Sequence, residues 1–347
     1  METERYGNLF EVICELVQCH SPSGAEWEID DFLLARFDDL DVEHRQDEAG
    51  NIICRIPGRD GNRAMAITAH KDEIGAIVKR VHDDGRVEVR KLGGAYPWVY
   101  GEGVVDLLGD HATISGVLSF GSRHVSHESP QKVHEEQAPL RWENAWIETK
   151  QSAAALASAG IRPGSRMVVG KHRKQPFRLG EYVASYTLDN KASLAVLLAL
   201  AEEIKQPGVD IYLVATAKEE VGAIGAMHFT SRQRLNALIA LEISPKSREY
   251  PCVSDLAPVL VSQDGYGIYD ESLNTELATA AKSAGLPWQH TILSQFGSDA
   301  SWVMKNGHVP RAACLGFPCD NTHGYEIAHL GGIDNCRRLL LAYCQAI

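Results

Sequence analysis

No apolar run in this sequence is long enough to cross a bilayer; the longest, SLAVLLALAEEI, has the length of a buried helix. The opening METERYGNLFEVICELV lacks a basic flank followed by an apolar core, so no secretory signal is expected. None of the eight cysteines stands in a C-x-x-C pair, which leaves a thiolate zinc site or a redox motif without support. They are expected as buried thiols of a reducing, cytoplasmic compartment, a setting that weighs against a bridge between the nearby Cys314 and Cys319. H-E-x-x-H, G-x-S-x-G and G-x-x-x-x-G-K-[ST] are all missing, so a gluzincin-type protease, an α/β-hydrolase and a P-loop NTPase have no positive sign. Basic residues are short: 34 Lys and Arg against 46 Asp and Glu give a net charge of -12. That balance argues against nucleic acid as a partner and favours cationic or amine-bearing substrates.

What remains is a soluble globular composition, 44% hydrophobic and 23% charged over 347 residues, enough for one large domain or two ordinary ones. Apolar spacing predicts a helix over Asn8–Val17, and Ser23 could cap a second over Ala25–Phe37. Strand-like runs follow at Asn51–Ile56 and Ala64–Thr68. After Gly75 the segments become short, alternating and Gly-punctuated (GAIVKRV, RVEVRKL, GVVDLL, HATISGVLSF), as in a small β-rich unit. HVSHESPQKVHEEQAPLRW then reads as a long surface loop. From about Tyr182, strands and helices alternate to a last helix over Ile333–Gln345. The expected fold is α/β, a mixed and mostly parallel sheet covered by helices on both faces. It is built from residues 1–74 and 175–347, with a β-rich insertion over 75–174.

Several chemistry-bearing side chains end apolar runs. His70 follows MAITA, and Asp72, two residues on, could accept the second ring N–H and fix the tautomer. Asp189 stands at a strand-to-helix junction, either a helix N-cap or a carboxylate bridging two metals. Glu219 and Glu220 follow VATA as adjacent acids that repel each other. Exposed helix starts tolerate such pairs, but one could also bind metal while the other serves as general base. Glu242 sits inside the apolar ALIALEISP, where an unpaired carboxylate is costly unless the strand end reaches solvent. His323 and His329 in THGYEIAHL are both candidate ligands or ordinary polar loop residues. Distant ligands gathered at one sheet edge, with a carboxylate to spare, are what a two-metal hydrolase requires.

In this order, SPSGAE, AHKDEIG, LDNKAS, KEEVGAIGA, ALEIS, FGSDAS and THGYE resemble the M42 family of dinuclear metallo-aminopeptidases over nearly the whole chain. The resemblance implies a phosphorylase/hydrolase-like peptidase core with a PDZ-like insertion that serves as a lid or assembly surface. It implies two divalent metal ions, zinc or cobalt. His70 and Glu242 would hold one, Glu220 and His323 the other, and Asp189 would bridge them. Glu219 would be the general base, Asp72 would orient His70, and Asp299 of FGSDAS would lie near the substrate pocket. Peptide substrates, a homo-oligomer (dimer or dodecamer), and no membrane or nucleic-acid partner are expected. The chain departs from the family pattern in three places. Glu242 replaces the usual aspartate, HGYE is one residue shorter than His-Ser-Pro-x-Glu, and GSRHVSHESPQKVHEEQ is long and polar. Glu242 motivates an alternative, a dinuclear deacylase or carboxypeptidase acting on N-acyl amino acids or peptides. A metal-free scaffold is the third reading.

Overall fold

The computed structural model describes residues 6–122 and 139–347. The polar stretch expected as a surface loop, 124–142, falls for the most part outside them.

An 11-stranded sheet organises the chain. Its main path runs His44–Gln46, Ile52–Ile56, Val209–Thr216, Asp60–His70, Ala237–Pro245, Ala312–Asp320, Glu326–His329, Tyr182–Ser185 and Phe177–Leu179. Val259–Gln263 and Gln289–Ile292 branch from the Ala312–Asp320 strand. Parallel pairing joins the central strands and the branch pair Val259–Gln263 and Gln289–Ile292. Four pairings are parallel and six are antiparallel, so the sheet is mixed rather than mostly parallel. The reason lies in the connections. Helices and the barrel carry the chain between the central strands, whereas three of the antiparallel pairs are joined by turns too short for a parallel crossover.

Helix Leu188–Glu203 is apolar on every side from Leu194 to Ala201 and is accordingly buried there on nearly every side. It packs with Gly7–Gln18 and Leu330–Ala346 over one sheet face, where Leu197, Ile13 and Leu339 meet Ile67, Leu213 and Leu241. On the other face Phe229 and Val303, from Ile224–Thr230 and Asp299–Lys305, meet Ala66, Val214 and Leu238. No helix among the described residues is long and apolar enough to cross a membrane. All eight cysteines are free, and Cys314 and Cys319 lie along one strand.

Strands Gly75–Val81, Arg86–Leu92, Trp146–Glu148, Thr113–Ser119, Gly103–Leu108 and Arg166–Val169 close a separate barrel around Val89, Leu107, Ile147 and Met167. The chain enters it at Glu73 and leaves at Lys174, and these two side chains meet at 3.1 Å. Lys191 approaches the same carboxylate at 3.3 Å, and Ser21 N–H donates to it at 2.7 Å. All three charged side chains are essentially inaccessible to water. Burial alone would raise the Glu73 carboxyl, but Lys174 and Lys191 outweigh it and hold it down at about 2. Ser23 does not cap the second helix, which begins at Trp27 after Glu26. Its hydroxyl donates to Asp72 at 2.6 Å instead.

Glu73→Gln leaves two buried ammoniums facing no counter-charge, and a loss of about 3–5 kcal/mol in stability is expected at neutral pH. Because the folded carboxyl titrates below its usual 4.5, the wild-type advantage is full above that pH. It shrinks as the pH falls toward 2. Melting curves of both proteins from pH 7 to 3 would show the gap narrowing; a constant gap rejects the ionic account.

Candidate metal centre

Side chains alternate along a strand, so parity decides what a strand end presents. Ala66, Val214, Leu238 and Ala240 face the Phe229 side of the sheet. His70, Thr216 and Glu242 continue the same parity to the C-terminal ends. His70 pairs in register with Thr216, and Glu242 lies two residues past Ala240, the partner of Thr68. Parallel central strands thus deliver an imidazole and a carboxylate side by side, where ligands bind open α/β sheets.

Asp189 lies at a kink in the first turn of the long buried helix. Its own φ and ψ are non-helical, its peptide bond to Asn190 is cis, and the N-cap position belongs to Thr187. Its two oxygens point to different histidines. Oδ1 lies 3.0 Å from His70 Nε2, and Oδ2 lies 3.4 Å from His323 Nε2. Glu242 Oε2 stands 3.9 Å from His70 Nε2, and Glu220 Oε1 stands 3.7 Å from His323 Nε2. His70, Asp189 and Glu242 form one group, and Asp189, Glu220 and His323 another, with ligand atoms within 4.8 Å of one another in each. A tetrahedral zinc with ligands at 2.0–2.1 Å has an edge of ~3.3 Å, which these spacings bracket. Two mixed N/O donor sets sharing one carboxylate fit a pair of divalent cations. His329 takes no part. Its Nδ1 accepts from Gly331 N–H at 2.9 Å at the start of the last helix.

Neighbouring residues hold these candidate ligands in place. His70 Nδ1 meets the main-chain carbonyl of Asp72 at 3.0 Å, while the Asp72 carboxylate stays 3.6 Å from it. The expected carboxylate–imidazole bond is therefore replaced by a carbonyl one. The carboxylate is engaged by Glu219 N–H at 2.8 Å, Glu220 N–H at 3.2 Å and Ser23. Asp72 thus fixes the ring with its backbone and the Glu219–Glu220 turn with its side chain. Glu326 carries no role in the sequence reading. It is 1% exposed and accepts from Asp189 N–H and His323 N–H, each at 2.9 Å. The only available signal was its place in HGYE. Asp299 lies under the floor of the cleft, whose wall includes its neighbours Phe296, Gly297 and Trp302. It is 1% exposed and accepts from Thr216 Oγ1 at 2.6 Å, because its helix starts on the sheet face below the strand ends.

A cleft of about 680 Å³ opens over the ligands, with Glu219 in its wall. A cavity of about 420 Å³ near Arg36, Glu203 and Arg337 is away from these acids and has none of this chemistry. The acids repel one another. Burial, then Glu242 and Glu220, raise the Glu219 carboxyl well above its usual range against the pull of His70. Burial and Asp189 push Glu220 up to about 7. Burial would lower His323, but Glu220 and Asp189 overrule it and raise the ring to about 10. Two cations would relieve this crowding, as bound metals invert local pKa order.

The profile of the M42 glutamyl aminopeptidase family matches residues 50–339. The chain belongs to that family. It is 26% identical to a putative aminopeptidase, YhfE, of Bacillus subtilis, over 97% of each chain. Aminopeptidase APDkam598 from the archaeon Desulfurococcus kamchatkensis has a similar fold: TM-score 0.88 at 24% identity, covering 99% of this chain and 96% of that one. Pyrococcus horikoshii TET1 peptidase matches at TM-score 0.87 and 22% identity over 98% of this chain and 100% of its own. The M42 chain is an aminopeptidase by family. The deacylase or carboxypeptidase alternative finds no support in these relatives.

The barrel closes on the centre through Gly93 and Gly94. A Cβ on Gly94 would sit 2.4 Å from His323 Nδ1. Gly94→Ala is expected to displace the ring and weaken zinc binding by 10-fold or more, within the ~10–100-fold range for lost ligand support. The melting temperature of the zinc-free protein should stay unchanged. Calorimetric titration measures this; wild-type affinity would show that His323 does not need its present place.

Proposed function

We propose that this M42 chain removes N-terminal residues from short peptides using two divalent cations, zinc or cobalt. The observation that carries the reading is Asp189, one oxygen toward each histidine. His70 and Glu242 would hold one cation and Glu220 and His323 the other, with Asp189 shared by both donor sets. When bound, the cations polarise the scissile carbonyl and lower the pKa of the attacking water from 15.7 to about 7. Glu219, outside both donor sets, accepts the water proton at its carboxylate and returns it to the departing amine. Asp72 keeps Glu219 on station through the 2.8 Å bond from its N–H. The carboxylates lining the cleft, among them Glu249, suit the free α-ammonium of a peptide.

On this reading residues 1–74 and 175–347 form the catalytic unit. The barrel within 75–174 acts as a PDZ-like lid or assembly surface. The Pyrococcus horikoshii TET1 peptidase assembles into a tetrahedron or a large octahedral shell. A homo-oligomer, dimer or dodecamer, is proposed here by analogy, and light scattering of the purified protein measures it.

Metal analysis should find two equivalents per chain. Glu219→Gln should keep both, keep the melting temperature, and lose about 10²–10⁴-fold in kcat on a panel of Leu-, Glu- and Lys-p-nitroanilide. A variant near the wild-type rate removes Glu219 from the base role. Faster hydrolysis of N-acetyl amino acids than of any anilide would refute the aminopeptidase reading itself.

A further inference from the structure

The catalytic cleft continues into a second groove. Tyr96 and Trp98, half or more exposed and with ring centroids 5.9 Å apart, line both. The second groove, of about 760 Å³, runs across the outside of the barrel. Its charge is opposite to that of the cleft. Lys79, Arg90, Lys91 and Arg141 line it against only Glu88 and Glu143, an excess of two positive charges on a chain of net charge -12. Lys79 is engaged with Glu88 at 3.5 Å, and the Lys91 ammonium lies 5.9 Å from the Tyr96 ring centre. Arg90 and Arg141 have no ion-pair partner among the described residues. The cleft itself is lined by Asp189, Glu219, Glu220, Glu242 and Glu249 and by no lysine or arginine.

We propose that this groove binds the downstream part of the peptide substrate and selects peptides with acidic residues after the first few positions. The inference rests on the aminopeptidase reading. A peptide whose first residue lies over His70 and Asp189 leaves the cleft past Tyr96 and Trp98, since these two side chains are common to both cavities. The field along this route is acidic where the α-ammonium binds and basic where the chain departs. That order matches the polarity of a peptide, ammonium first and carboxylate last. Complementary fields steer and orient a charged ligand before close contact. The flat Tyr96 and Trp98 rings give the intervening residues an apolar wall that is indifferent to sequence. Selectivity is thereby divided: the cleft reads the first residue and the groove reads downstream charge.

The test uses the metal-loaded, full-length enzyme and two hexapeptides that share the N-terminal residue whose p-nitroanilide is cleaved fastest. One carries Ala-Ala-Asp-Asp-Ala after it and the other Ala-Ala-Lys-Lys-Ala. The anilide ends within the cleft and serves as reference. Two exposed ionic contacts correspond to a KM for the Asp peptide about tenfold below that for the Lys peptide at low salt. The difference should shrink at high ionic strength. The double variant R90E/R141E should abolish or reverse it, with anilide turnover unchanged. KM values within twofold of each other, or a preference that survives in R90E/R141E, overturn the proposal. A variant that changes particle mass by light scattering while keeping the KM ratio makes the groove a subunit contact and also overturns it. Loss of anilide and peptide hydrolysis alike in the wild-type enzyme would instead refute the aminopeptidase reading.

Discussion

Carboxylates do not gather in a protein interior without a reason, and here Asp189, Glu219, Glu220 and Glu242 converge within one cleft, with Asp299 and Glu326 packed beneath. Their mutual repulsion is the constraint around which the rest is built. Each needs a fixed partner, and the fold supplies those partners from its rigid parts. Backbone N–H groups of Asp189 and His323 hold Glu326, those of Glu219 and Glu220 hold Asp72, and Thr216 holds Asp299. Where no hydrogen bond is offered, on the faces turned toward the shared space, the arrangement calls for positive charge. Divalent cations would answer that need with the donor types present, imidazole nitrogen and carboxylate oxygen.

The same logic operates a short distance away with lysine in place of metal. The SPSGAE loop and the AHKDEIG turn lock through Ser21 to Glu73, Ser23 to Asp72, and Lys71 to Glu26 and Asp30. His20 adds a 3.0 Å contact to Asp106 of the barrel. Buried ionic contacts of this kind add little net stability compared with apolar packing, but breaking one partner is expensive. They fix the relation between barrel and sheet more than they deepen the core.

Much of this was legible in the sequence, and for a physical reason. His70 and Glu242 end apolar strands, and strand parity carries them to one face. Glu219 and Glu220 stand out because adjacent acids bring no packing gain. Strand direction was less legible: an apolar run reads the same whichever way its neighbour points, so the antiparallel flanks were missed. Glu326, Gly94 and the Glu73–Lys174–Lys191 cluster were silent because their meaning lies in partners distant along the chain. The FGSDAS motif was legible only coarsely: Phe296 and Gly297 line the cleft, while the Asp299 side chain accepts from Thr216 under the floor. Ser23 looked like a helix cap, and its hydroxyl serves Asp72 instead.

The barrel meets the sheet in two unlike ways. At its base both crossing segments are fastened by one carboxylate, Glu73, shared between Lys174 and Lys191. At its tip Gly94 leaves just enough room for the His323 ring. A designer exchanging only the barrel strands, Gly75 to Val169, for a foreign module could keep Glu73, Lys174 and Lys191 but would lose the contact of His20 with Asp106. The tip is another matter: any replacement must present a side-chain-free loop at that spot, or the imported piece will push aside an imidazole far from it in sequence.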